Sequence, residues 1–275
     1  MITIEQGKIL DNDELCNLFK CSPQGGMRRS HKTNTLVLVS NHIKSIYEDK
    51  WIDGIMHYTG MGTSGDQSLT FGQNPTLANS DSNNVQVHLF EVFKSKEYHY
   101  QGIVKLSSQP YQEQQIDENG KKRLVWMFPV KLLNGTPAII ENKTIEFLQT
   151  VREKKAKKLY NNRLKMLVEN SPKSKPNKRK TISESYERDE KVVQYALRRA
   201  NGFCQLCDLP APFLRKDDSP FLEVHHIEYL SKGGADTIEN VAAICPNCHR
   251  KMHVLNRSSD VLKLKEKAKE KLSDD

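Results

Sequence analysis

The chain has 275 residues, 37% hydrophobic and 28% charged, with 42 Lys and Arg against 34 Asp and Glu, a formal charge of +8 and a pI near 9.0. That length suits two domains, and the basic balance suits a polyanionic partner, although it also fits an acidic membrane surface or plain solubility. No apolar run reaches the length of a membrane span and MITIEQGKIL is not a signal peptide, so a soluble, cytoplasmic protein is expected.

Residues 1–135 are rich in strand-like runs. TLVLVS (35–40), VQVHLFEVF (85–93), YHYQGIVKL (98–106) and RLVWMFPVKL (123–132) carry the β-branched and aromatic residues of strands. Between them, YTGMGTSGDQ and FGQNPTLANSDSNN have the Gly, Asn, Asp and Ser of long loops or short helices, and residues 117–120 spell a hairpin turn. Many non-local strands with few helices predict a curved or barrel-like sheet. From Glu141 to Asn170 the texture becomes helical, with Ile145, Leu148, Leu159, Leu164 and Leu167 as candidate buried contacts. SPKSKPNKRK (171–180) then breaks any helix with two prolines and reads as an exposed linker. Residues 149–182 hold twelve Lys and Arg against two Glu, so the positive charge is concentrated there; a solvated helix face and a phosphate-contacting one are equally good readings. A further helix, 187–202, ends at Gly202 just before Cys204.

Of six cysteines, Cys16 and Cys21 have no evident partners and are expected to be thiols without a catalytic role. The other four form two C-x-x-C pairs, Cys204/Cys207 and Cys245/Cys248, the ligand set of a closed tetrahedral zinc site. The loop they would clamp is too small to fold alone, so metal binding should supply much of its stability. Inside and just after it fall His225, His226, His249 and His253, four of the nine histidines. LEVHHIEYLSKGG followed by TIENVAAICPNCHRKMH is similar to the HNH nuclease motif in its four-cysteine form, over about residues 187–256. The resemblance implies a β-hairpin packed on a helix (the ββα-metal module) with a divalent ion between them, Mg²⁺, Mn²⁺, Co²⁺ or Ni²⁺. It implies His225 and His249 as ligands of that ion, His253 as a possible third, His226 as general base, and Asn240 as the residue that pins the hairpin loop. A neutral imidazole suits proton removal from water, and a metal suits the charge that builds on the leaving oxygen.

The stretch IYEDKWIDGIMHYTGMGTSGDQ resembles the SRA (SET- and RING-associated) domain, which binds methylated or hydroxymethylated cytosine. The resemblance covers about residues 20–135 and rests on Tyr47 and Asp49, Tyr58-Thr59-Gly60-Met61-Gly62, Asn74 and Leu77. It implies that Tyr47 and Tyr58 stack on a flipped base, that Asp49 accepts from the cytosine N4 amino group, and that Thr59 bonds the base edge. The plainer reading keeps Tyr58 and Trp51 as core aromatics.

The expectation is therefore an α+β protein in three parts: an SRA/PUA-like barrel at 1–140, a basic helical linker at 141–186 and a zinc-stapled HNH module at 187–275. The activity expected is modification-dependent cleavage of double-stranded DNA carrying 5-methyl- or 5-hydroxymethylcytosine. One active centre cuts one strand, so a homodimer is expected, at least on DNA. Two alternatives stand: an HNH nuclease gated by phosphorothioate, a glucosylated base or RNA, and a catalytically silent reader of modified DNA.

Overall fold

The computed structural model describes residues 2–43, 47, 49–117, 121–170 and 180–272. The tip of the expected 117–120 turn and most of the proline–lysine segment lie outside the described residues. The chain divides into two compact units, Met1–Ser183 and Glu184–Asp275, and the two helices between residues 141 and 171 fall within the first. Among the described residues no helix is long and apolar enough to cross a membrane.

The first unit begins with β1 (Ile9–Leu10), α1 (Asn12–Phe19), β2 (Met27–Ser30), β3 (Thr35–Asn41), β4 (Lys50–Ile52) and β5 (Ile55–Thr59). It continues with α2 (Asn74–Ala78), β6 (Gln86–Lys94), β7 (Glu97–Leu106), β8 (Tyr111–Ile116) and β9 (Lys122–Leu132). These strands form one sheet in the order β2-β3-β6-β7-β9-β5-β4, with β1 on β7 and β8 on β9. Strands β3 and β6 pair in parallel, and a parallel pair needs a long crossover. Here the crossover carries β4, β5 and α2, and with them the residues from Tyr47 to Leu77 singled out in the sequence.

Strand β3 is an unbroken apolar run because it is covered on both faces. Leu36 and Leu38 join Met56, Tyr58, Val87, Leu89, Phe128 and Val130 in the main core. Val37 and Val39 face the other way, onto Leu15 and Phe19 of α1. That helix starts at a capping box, in which Asp11 accepts from the Asp13 and Glu14 amides and the Glu14 carboxylate accepts from the Asp11 amide. The expected barrel does not close: the strand path runs open from β2 to β4. A side chain bridges the curl where a ladder would have closed it. Tyr58 of β5 donates its hydroxyl to the Gly26 and Val39 carbonyls, at 2.7 and 3.3 Å.

The expected single helix over 141–170 is two helices, α3 (Asn142–Lys157) and α4 (Asn161–Asn170), preceded by β10 (Ile140–Glu141) and followed by β11 (Thr181–Ile182). Leu148 and Ile145 of α3 pack with Phe93, Ile140 and Ile43 of the same unit, whereas Leu159 and Leu164 are exposed. Lys154, Lys155 and Lys157 occupy the last turn of α3, where they meet the negative end of the helix dipole.

The second unit contains α5 (Glu190–Ala200), β12 (Glu223–His226), β13 (Val241–Ile244), α6 (Pro246–Leu255) and α7 (Ser258–Lys267). The two strands form an antiparallel hairpin, with His225 opposite Ala242 and His226 opposite Val241. Arg199 of α5 stitches this unit together by donating to the Ile238, Ala268 and Val241 carbonyls.

Asn74 is fully buried and holds the glycine loop: its carbonyl accepts from the Met61 amide, and its amino group donates to the Met61 and Ser68 carbonyls. Asn74→Ala strands these groups and is expected to cost about 1–3 kcal/mol per orphaned group. Both tryptophans, Trp51 and Trp126, belong to the first unit, so the loss should show in urea unfolding followed by their fluorescence.

Candidate functional site

Strand β12 places His225 and His226 on opposite faces, as successive residues of a strand must be. His225 turns toward α6, where His249 and His253 stand one helical turn apart. The three imidazoles each bring a nitrogen within 4.8 Å of the others. His249 Nε2 and His253 Nε2 are 3.0 Å apart, and His225 Nε2 is buried with no hydrogen-bond partner among the described residues. An orphaned buried nitrogen beside two converging lone pairs is what a metal ion would satisfy. Burial, and then the neighbouring His249, His253 and His226 rings, push the His225 imidazole down to about 3, so it is neutral and able to ligate. Burial and His249 also lower His253. On its far side His249 Nδ1 lies 2.6 Å from Glu223 Oε2, a carboxylate partner that fixes the ring and leaves Nε2 for the site.

His226 occupies the other face, buried, with Nε2 2.7 Å from Asp236 Oδ1. The hydrogen bond to His226, and then the Asp189 amide, hold the Asp236 carboxyl below its usual range. Asn240 spans the loop between the two strands. Its amino group donates to the Glu228 and Ala235 carbonyls, and its carbonyl accepts from the Glu228 amide, closing the loop between the strands. Gly233 has φ +88, and a Cβ on Gly234 would sit 2.1 Å from the Glu228 carbonyl oxygen.

The four thiols, Cys204, Cys207, Cys245 and Cys248, each bring a sulfur within 4.8 Å of the others, an arrangement that could hold a tetrahedral zinc. Burial alone would raise the Cys204 thiol, but backbone N–H groups of Cys207, Cys245 and Leu206 aimed at its sulfur outweigh it and hold it below the usual range. Cys245 precedes Pro246, the first residue of α6, so this cluster fixes where the helix bearing His249 and His253 begins. Cys16 and Cys21 lie far away in sequence, packed beside the α1 core; burial pushes Cys21 up to about 11.

In the first unit Tyr47, Asp49 and Thr59 come together. Asp49 Oδ1 accepts from the Thr59 amide at 2.8 Å, and the Tyr47 hydroxyl donates to the Gly62 carbonyl at 3.1 Å. Burial raises the Asp49 carboxyl, opposed by the Thr59 amide, Ser40 and His42. Arg123, 3% exposed, sets its guanidinium over the Tyr47 ring and donates to the same Gly62 carbonyl. Tyr58 borders this group from the core: its ring is packed in the main core at 3% exposed, its hydroxyl donates to the Gly26 and Val39 carbonyls, and burial, then the nearby Asp49 and Tyr47, raise that hydroxyl. Sequence reasoning gave no role to Glu223, Asp236 or Arg123. Only Asp236 left a trace, as the one acid between Gly234 and Thr237.

A hairpin, a helix and three converging imidazoles define an HNH-type module, and residues 204–254 match the HNH endonuclease family. Residues 7–154, more than half of the chain, match the ScoMcrA-like SRA domain family, and the chain belongs to it. The type IV methyl-directed restriction enzyme EcoKMcrA of Escherichia coli (strain K12) is 40% identical over 90 residues, 33% of this chain and 32% of that protein. The chain thus spans about a third of the length of this curated relative. Among solved structures, the type IV phosphorothioation-dependent restriction endonuclease ScoMcrA is 19% identical over 97% of this chain and 63% of its own, with a TM-score of 0.41. The modification-dependent TagI restriction endonuclease is 18% identical over 91% of this chain and 78% of its own, with a TM-score of 0.37.

The Gly234 approach gives a direct check of the loop. Gly234→Ala forces the Glu228 carbonyl aside and is expected to destabilise the second unit by about 1–3 kcal/mol, read as an earlier transition in calorimetry; an unchanged profile would contradict the close approach.

Proposed function

We propose that this protein is a modification-dependent DNA endonuclease that cleaves double-stranded DNA carrying 5-methyl- or 5-hydroxymethylcytosine. The observation that carries the reading is the convergence of His225, His249 and His253, with the adjacent His226 held by Asp236, in a chain that also carries an SRA domain. A general base and a metal site on one short scaffold suit hydrolysis of a phosphodiester.

His225, His249 and His253 would hold a divalent cation, which when bound supplies Lewis-acid stabilisation of the leaving 3′ oxygen. An all-imidazole donor set favours Mn²⁺, Co²⁺ or Ni²⁺ over Mg²⁺, which prefers oxygen ligands. Glu223 orients His249, Asn240 keeps the hairpin loop closed, and His226 takes the proton from the attacking water. The four thiolates would hold a separate structural zinc.

In the SRA domain, Tyr47 offers a face on which a flipped cytosine can stack, and Asp49, steadied by Thr59, offers an acceptor for its N4 amino group. Tyr58 supports this pocket from the core. Burying one methyl group is worth about 0.8 kcal/mol, or about a fourfold preference, so methylation biases cleavage without gating it absolutely. The exposed Leu159 and Leu164 of α4 and its approach offer a contact for a homodimer on DNA, which concerted double-strand cleavage by single-strand centres requires. A restriction role places the protein in the cytoplasm.

The test is a panel of duplexes of one sequence bearing cytosine, 5-methylcytosine, 5-hydroxymethylcytosine or a phosphorothioate linkage, cut in Mn²⁺. The two modified cytosines are expected to raise the rate severalfold, and Tyr47→Ala or Asp49→Ala to abolish the difference. His226→Ala should slow cleavage by about 10²–10⁴ with DNA binding intact. Equal rates on all four duplexes would refute modification dependence, and acceleration by phosphorothioate alone would move recognition to the DNA backbone.

A further inference from the structure

We infer that Asp236 is the positioning residue of the nuclease centre, holding His226 in the one tautomer and orientation in which it can accept a proton from water. The inference rests on the nuclease reading above and adds to it a residue with no required spacing in the motif.

Three contacts carry it. First, Asp236 Oδ1 lies 2.7 Å from His226 Nε2, and the pair is shielded, with side-chain exposures of 21% and 6%. Second, the carboxylate is itself fixed, because Oδ2 accepts from the Asp189 amide at 2.6 Å. Asp189 is the N-cap of α5, and its own side chain accepts from the Lys191 amide, so the partner is anchored to a helix start and not to a free loop. Third, the neighbouring Ala235 carbonyl accepts from Asn240, which ties the segment bearing Asp236 to the base of the hairpin.

The chemistry follows from which nitrogen is occupied. A carboxylate only accepts, so His226 Nε2 must carry the hydrogen, and the lone pair is left on Nδ1. As water attacks, the new P–O bond forms and the P–O3′ bond breaks. The water proton goes to Nδ1, and the departing 3′ oxygen takes a proton from solvent. The imidazolium that results is stabilised by Asp236, which stays ionised throughout, as in the carboxylate–histidine pairs of acyl-transfer enzymes. Asp236 is not among the side chains gathered with His225, His249 and His253, and both its oxygens are engaged by His226 and the Asp189 amide, so its role is not that of a metal ligand.

Two measurements on the full-length protein test this. In ¹⁵N-histidine spectra of the wild type, with no substitution made, His226 is expected as the Nε2–H tautomer; an Nδ1–H tautomer would overturn the proposal regardless of activity. In single-turnover cleavage of the modified duplex, Asp236→Asn should lower the rate by about 10²-fold or more with Mn²⁺ affinity and DNA affinity unchanged. Introduced into His226→Ala, the same substitution should cause no further loss, because both changes disable one unit. A merely structural brace would slow both backgrounds alike, and an Asp236→Asn rate within about threefold of wild type would overturn the inference. A wild type that shows the Nε2–H tautomer yet cuts no DNA would uphold the positioning contact and refute the nuclease reading alone.

Discussion

The second unit depends on four sulfurs meeting at one point. Cys204 and Cys207 sit in the turn after α5, and Cys245 and Cys248 sit at the start of α6. Between them run 37 residues, of which only the four-residue strands β12 and β13 and one short 3-10 turn are regular. A segment with so little ladder and so small a core has little to offset its chain entropy, and a metal held by the four sulfurs would supply the difference. The clamp also sets geometry. By fixing the junction between Ile244 and Pro246 it would fix the rotation of α6, and therefore the direction in which His249 and His253 point toward His225.

In the first unit the comparable constraint is the parallel pairing of β3 with β6. The crossover it demands is long, and the chain uses that length to carry Tyr47, Asp49 and the Gly60–Gly62 turn past the end of the sheet. Asn74 and Gln67 turn this crossover into a built loop. Gln67 donates to the Gly60 and Gly62 carbonyls and accepts from the Trp126 amide, so the loop is tied to β9 as a strand would be. Both units thus place chemistry-bearing side chains on irregular backbone that a few buried polar contacts hold still.

The two clusters that could hold a metal were legible as groupings because ligands to one ion obey fixed spacings. Two C-x-x-C pairs and His249 one turn before His253 leave few geometries open, and the structure brings both groups together. Asp236 and Glu223 were not legible, since a hydrogen bond to a ring nitrogen can come from any loop that reaches it. Tyr58 carries a core aromatic's pattern as well as a motif's, because its ring packs in the main core while its hydroxyl lies near Asp49 and Tyr47. Strand β8, Tyr-Gln-Glu-Gln-Gln-Ile, carries almost no apolar signal because it lies largely exposed on the flank of β9. The missed helix α1 did announce itself, as Asp11 and Glu14 in capping-box spacing, but its eight residues are too few for a clear periodicity.

The sulfur cluster that would build the module and the imidazole cluster that would serve the reaction are two candidate metal sites of different chemistry on one small scaffold. X-ray absorption at the zinc edge of the protein as purified, followed by the manganese edge after Mn²⁺ is added, tests that division most directly. Zinc is expected in a shell of four sulfurs at about 2.3 Å and manganese in a separate shell of nitrogen and oxygen with no sulfur. Zinc in a mixed sulfur–nitrogen shell, or manganese that displaces it from sulfur, would contradict the division.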